Sequence, residues 1–138
     1  MFTSIGTDIV SIKRIKKIYE QYGKKFLERI GIKNDNLKID EIAGFFAAKE
    51  AGYKALKPIK EIFNPKEVEV LKKKGGAPVL VFKGKLKKRW DLFGRPLILL
   101  SITHEKEYAL AVVVLQKKSN QMGILKGRKK RGKFKSTF

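Results

Sequence analysis

The sequence predicts an α+β fold in which a small, largely antiparallel sheet packs around one long buried helix. Three observations carry this. Five short runs, FTSIGTDIV, KEVEVLK, APVLVFK, LILLSIT and YALAVVVL, are rich in β-branched, aromatic and aliphatic residues. The segment DEIAGFFAAKEAGYKAL, residues 40–56, is apolar almost all round at helical spacing. No internal repeat appears, and the strand-like runs cluster on either side of that helix instead of alternating with helices of equal length. A length of 138 residues with 43% hydrophobic content bounds the chain to one domain with one modest core.

The elements follow in order. In residues 2–10, Phe2, Thr3, Ile5, Thr7, Ile9 and Val10 favour a strand that Gly6 weakens in its middle, with Asp8 at its far end. Ser11 is placed as the N-cap of a helix carrying Ile12, Ile15, Ile18, Tyr19 and Tyr22 on one side and Lys13, Arg14, Lys16 and Lys17 around the other. Gly23 ends it, and KKFLERI suggests a short second helix before the turn-prone GIKNDN. In the long helix, small residues permit close approach of neighbouring backbone. At about 100° per residue Glu50 lies roughly 80° and Lys54 roughly 120° from Ile42, while Lys49 falls between Phe45 and Ile42. Three ionisable groups thus border an apolar surface.

Beyond Pro58 and FNP, two alternating runs flank Lys74-Gly75-Gly76 and read as a hairpin with a loose turn. Residues 84–92 suit a short basic helix, and two strongly apolar strands follow, separated by the polar segment His104-Glu105-Lys106-Glu107.

Charge is the other strong signal. Lys and Arg number 33 against 13 acids, a net charge of +20. Residues 117–138 hold nine bases and no acid. This stretch reads as a basic, disordered tail after a domain over 1–116, either a solvated terminus or an arm for RNA or an acidic membrane. Cysteine is absent, which excludes disulfides, thiol nucleophiles and cysteine zinc sites. No apolar run suits a membrane span or a secretory signal, so a cytoplasmic protein is expected. The P-loop, G-x-G-x-x-G and G-x-S-x-G patterns are missing as well.

Asp8 and Glu50 could supply hard oxygen ligands for Mg²⁺. Read blandly, Asp8 is a cap or turn acceptor and Glu50 half of a helical pair with Lys54. Lys49 and Lys54 suit phosphate binding or snorkelling stems. His104, the only histidine, suits a phosphate contact, proton transfer or a structural turn.

Taken in order and spacing, IGTDIVSIKRI, FFAAKEAGYKAL, GGAPVL and LSITHEKEYALAVVV closely resemble the holo-acyl-carrier-protein synthases, the small class of 4′-phosphopantetheinyl transferases. The match spans roughly residues 2 to 116. The resemblance implies the 4′-phosphopantetheinyl transferase fold and transfer of phosphopantetheine from coenzyme A to a serine of apo acyl carrier protein. It also implies release of adenosine 3′,5′-bisphosphate, a requirement for Mg²⁺, and a part in fatty acid biosynthesis. By the same resemblance Asp8 and Glu50 are the Mg²⁺ ligands, Lys54 the phosphate-binding lysine, and Lys49 a further contact or structural charge. His104 falls at the coenzyme A site, Gly76 and Pro78 at the turn beside the pantetheine arm, and Arg14 at the docking position for the acidic carrier. The base that deprotonates the serine stays open between a metal-activated water and Glu50. A homotrimer with sites between subunits is also implied. Phe45 stands where the family usually carries arginine, and GIKNDN and LKPIKEIFNP replace the usual loop sequences. The rival reading is a small RNA-binding protein, favoured by the charge and the GRKKRGK tail, although no RNP-type aromatic pattern accompanies it.

Overall fold

The computed structural model describes residues 3–34, 36–58 and 62–118. Strand β1 (Thr3–Ser11) leads into α1 (Ile12–Tyr22), α2 (Lys24–Arg29) and the long α3 (Ile39–Ala55). A 3-10 turn over Pro65–Glu67 precedes β2 (Val68–Lys72) and β3 (Pro78–Phe82), and α4 (Gly84–Leu92), β4 (Leu97–His104) and β5 (Tyr108–Gln116) complete the fold. The α+β class holds, with one refinement: the strands form two sheets, an antiparallel three-stranded sheet in the order β1-β5-β4 and the separate β2-β3 hairpin.

Local signals set the boundaries. Ser11 Oγ accepts from the Arg14 amide at 3.2 Å and caps α1, while Gly23 at φ +57 ends it. α3 starts one residue earlier than expected, and Glu41 Oε1 accepts from the Lys38 amide at 3.0 Å. Asp8 lies inside β1 instead of at its end, because the pairing with β5 runs on to Ser11 opposite Tyr108. His104 belongs to β4, where it faces Ala109 across the ladder, instead of to the following connection.

Alternation along β1 explains how α3 is seated. Ser4, Gly6, Asp8 and Val10 share the inner face, and α3 crosses them from its C-terminal end toward its middle. Ser4 Oγ donates to the Ala55 carbonyl at 2.6 Å. Gly6 meets backbone directly, since a Cβ there would stand 2.0 Å from the Ala51 oxygen. Fully buried Ala47, Ala48 and Ala51 on the helix and Ala109 and Ala111 on β5 complete the close contact. Leu86, Val113, Leu115, Val68 and Phe82 fill the main core, each side chain contributing about 1.5–3 kcal/mol of burial. A second cluster, Ile15, Leu27, Ile30, Ile32 and Ile42, fixes α1 and α2 against α3. From α4, Arg89 Nε donates to the Leu56 carbonyl at 2.6 Å and Nη2 to that of Lys57, satisfying the open end of α3.

Among the described residues no helix is long and apolar enough to cross a membrane. The expected basic tail lies outside the described residues apart from Lys117 and Lys118.

Candidate active site

Asp8, on the inner face of β1, meets the C-terminal half of α3. Lys54 Nζ stands 3.2 Å from Asp8 Oδ1 and 3.1 Å from the Thr7 carbonyl, with about half of the lysine side chain exposed. The bland alternative, a Glu50–Lys54 helical pair, is not found among the ion pairs of the described residues; Lys54 is turned to Asp8. Asp8 Oδ2 is buried with no hydrogen-bond partner. Burial pushes the Asp8 carboxyl up from its ordinary value, more than the Lys54 hydrogen bond and charge pull it down. Glu50 is pushed up by burial and then by the negative charge of Asp8, against Lys54 and Arg14. Two carboxylates that repel each other, one with an orphaned oxygen, fit a hard divalent cation, and Mg²⁺ commonly takes only one or two protein carboxylates beside phosphate oxygens. No group of three or more His, Cys, Asp or Glu gathers among the described residues, so the donor set here stops at two carboxylates.

The remaining candidates lie near the other end of α3. His104 Nδ1 is 3.8 Å from Asp40 Oδ2, beyond hydrogen-bond length, at the first turn of the helix. Asp40 precedes Glu50 by ten residues, about 15 Å along the axis. Lys72 Nζ lies 3.1 Å from Glu41 Oε2, tying the β2-β3 hairpin to that same first turn. Gly76, at φ +99, and Pro78, opposite Lys72, form the hairpin bend there. Phe45 packs into both cores from this half of the helix. One chain therefore presents two partial clusters: Asp8, Glu50 and Lys54 at one end of α3, and His104, Gly76 and Pro78 toward the other. Arg14 joins the first, since its charge acts on Glu50 from the first turn of α1.

Lys49 joins neither cluster. It is only 1% exposed, and its ammonium donates to the Pro65 and Val68 carbonyls. Its helical position on the apolar border was the signal for this burial; its two acceptors, far along the chain, had none. Burial lowers its pKa from 10.5 to about 8, with only Glu69 acting in the opposite direction. The unfolded chain therefore holds a proton that the fold releases across this interval, so the Lys49 contribution to stability rises with pH from about 8 to 10.5 and is flat below. Denaturant unfolding of the wild type and Lys49→Met between pH 7 and 10.5 should show the wild type gaining on the variant by on the order of 3 kcal/mol. Parallel pH curves would show that the buried ammonium is not titrating.

The three-stranded sheet carrying Asp8, the capped basic helix and the long alanine-rich helix bearing Glu50 and Lys54 form an arrangement suited to phosphoryl-group transfer. A family model, that of the 4′-phosphopantetheinyl transferase superfamily, matches residues 4–113, and the chain belongs to this superfamily. Within it, the chain is similar to curated holo-[acyl-carrier-protein] synthases. That of Campylobacter hominis is 40% identical over 122 residues, covering 81% of this chain and 96% of the relative. The crystal structure of the Helicobacter pylori holo-[acyl-carrier-protein] synthase in complex with coenzyme A matches with TM-score 0.66 and 36% identity, over 81% of this chain and 99% of that one. The Bacillus anthracis synthase, in complex with CoA (3′,5′-ADP), matches with TM-score 0.61 and 34% identity, over 83% of this chain and 96% of that one.

Proposed function

We propose that this chain transfers the 4′-phosphopantetheine group of coenzyme A to a serine of an apo acyl carrier protein, releasing adenosine 3′,5′-bisphosphate, with Mg²⁺ as cofactor and fatty acid biosynthesis as the setting. The observation that carries the reading is the unpartnered, buried Asp8 Oδ2 beside Glu50 and Lys54, in a chain of this superfamily. Asp8 and Glu50 would hold Mg²⁺, which when bound supplies charge neutralisation and a template for a pyrophosphate. Lys54, oriented by Thr7 and Asp8, keeps a third N–H for a phosphate oxygen. The imidazole of His104 offers a second contact to phosphate or a proton carrier. Arg14 and the cationic face of α1 receive the acidic carrier at the edge of the carboxylate cluster, so that docking delivers the serine to the reacting phosphorus. A reaction with coenzyme A, Mg²⁺ and apo carrier tests this: the carrier gains the mass of one phosphopantetheine, and no gain from folded protein rejects it.

The two partial clusters support assembly as a homotrimer in which His104 of one copy meets Asp8 and Glu50 of the next. A physical reason for assembly is the outer face of the three-stranded sheet, where Ile5 is 60% and Ile9 59% exposed beside Leu99 and Leu110. Leu99→Glu should shift the light-scattering mass toward the monomer and reduce transfer. An unchanged mass would place the interface elsewhere.

A further inference from the structure

A cavity of about 510 Å³ lies away from the carboxylate cluster, between α2, the segment after it, the 3-10 turn and the β2-β3 hairpin. None of Asp8, Glu50, Lys54 or His104 lines it. Its walls follow from local sequence. α2 ends abruptly, with the Gly31 amide donating to Glu28 and the Ile32 amide to Leu27 at 2.8 Å. Gly31 takes φ +76 and presses so close to the 3-10 turn that a Cβ would sit 3.2 Å from the Lys66 Cα. The buried Lys49 ammonium holds the Pro65 and Val68 carbonyls on either side of Lys66. The cavity is thus preformed on a fixed floor.

Its lining has two characters. Leu27 and Ile32 provide a small aliphatic wall, with the fully buried Val68 behind it. Lys24, Lys33, Lys66 and Lys83 outnumber Glu28 and Glu69 at the rim. Lys83 Nζ engages Glu69 Oε1 at 2.9 Å, and this bond keeps the Glu69 carboxyl below its ordinary value and ionised. Lys33 and Lys66 hold no ion pair among the described residues. The surplus is two positive charges beside an apolar wall, in a volume usual for small-molecule sites. Ammonium groups act as compact point charges toward phosphate. We propose that this cavity is a second ligand site, which binds a phosphate monoester with its phosphate between Lys33 and Lys66 and its apolar body against Leu27 and Ile32.

The test uses the full chain and phenyl phosphate as probe, followed by amide NMR, with phenol and inorganic phosphate as separate arms. Phenyl phosphate should give saturable shifts at Gly31, Ile32, Lys66 and Val68, more tightly than either fragment. Lys33→Glu with Lys66→Glu should weaken this by about tenfold or more, and the milder Lys33→Gln with Lys66→Gln by less, in well-dispersed spectra that show intact folding. Shifts that never saturate, that survive charge reversal, or that gather only at Asp8, Glu50 and Lys54 would overturn the proposal. The titration contains neither coenzyme A nor carrier, so its outcome is separate from that of the transfer reaction.

Discussion

Glu50→Gln leaves the chain folded and lowers the proposed Mg²⁺-dependent phosphopantetheine transfer by about a hundredfold or more. No hydrogen bond or ion pair of the fold depends on the Glu50 carboxylate among the described residues; what acts on it is burial and the neighbouring charge of Asp8. Because the folded state raises the Glu50 pKa, ionising it costs stability in the cation-free protein. The cost appears as pH rises above the ordinary value of 4.5 and is complete above the folded value. In EDTA at pH 7 the glutamine variant should therefore melt at or above the wild-type temperature, and the difference should vanish below pH 4.5. Added Mg²⁺ and coenzyme A should raise the wild-type melting temperature and leave the variant behind. Full activity in Glu50→Gln would remove the carboxylate from the site.

Gly6→Ala has the largest expected effect on the fold. The added carbon would lie 2.0 Å from the Ala51 oxygen and 2.7 Å from the Ala55 nitrogen, and backbone on both sides leaves no rotamer to turn away. β1 and α3 must separate, opening the Ser4–Ala55 bond and moving Asp8 from Lys54. A loss of about 3 kcal/mol or more is expected in denaturant unfolding, with a melting temperature lower by about 10 °C or more. Thr7→Ala, on the outer face, serves as comparison and should be nearly neutral. A Gly6→Ala protein of wild-type stability would contradict the close seating of α3.

Elements whose determinants are local were legible in the sequence: the Ser11 cap, the stop at Gly23, the hairpin around Gly75-Gly76 and the whole of α4. Asp8 and Glu50 stood out by type and motif, but their shared burial depends on Gly6 admitting α3 to the strand, a contact between residues far apart in the chain. Gly6 read as a weak point in a strand, and its value lies in what packs on it. Lys49 was read as a phosphate contact or structural charge, and nothing local reveals acceptors 16 and 19 residues further on. The separation of His104 from Glu50 comes from the strand order β1-β5-β4, which places β4 at the sheet edge remote from Asp8. Pattern along the chain does not encode that order.

The most direct measurement of the proposed shared site mixes two disabled chains. Glu50→Gln and His104→Ala, each nearly inactive alone, are denatured together in equal amounts and refolded into mixed assemblies. If Glu50 of one copy works with His104 of another, about a quarter of the sites pair two intact residues, and transfer returns to about that fraction of the wild-type rate. Activity no higher than that of the separate variants, from assemblies shown to contain both chains, would contradict a site shared between copies.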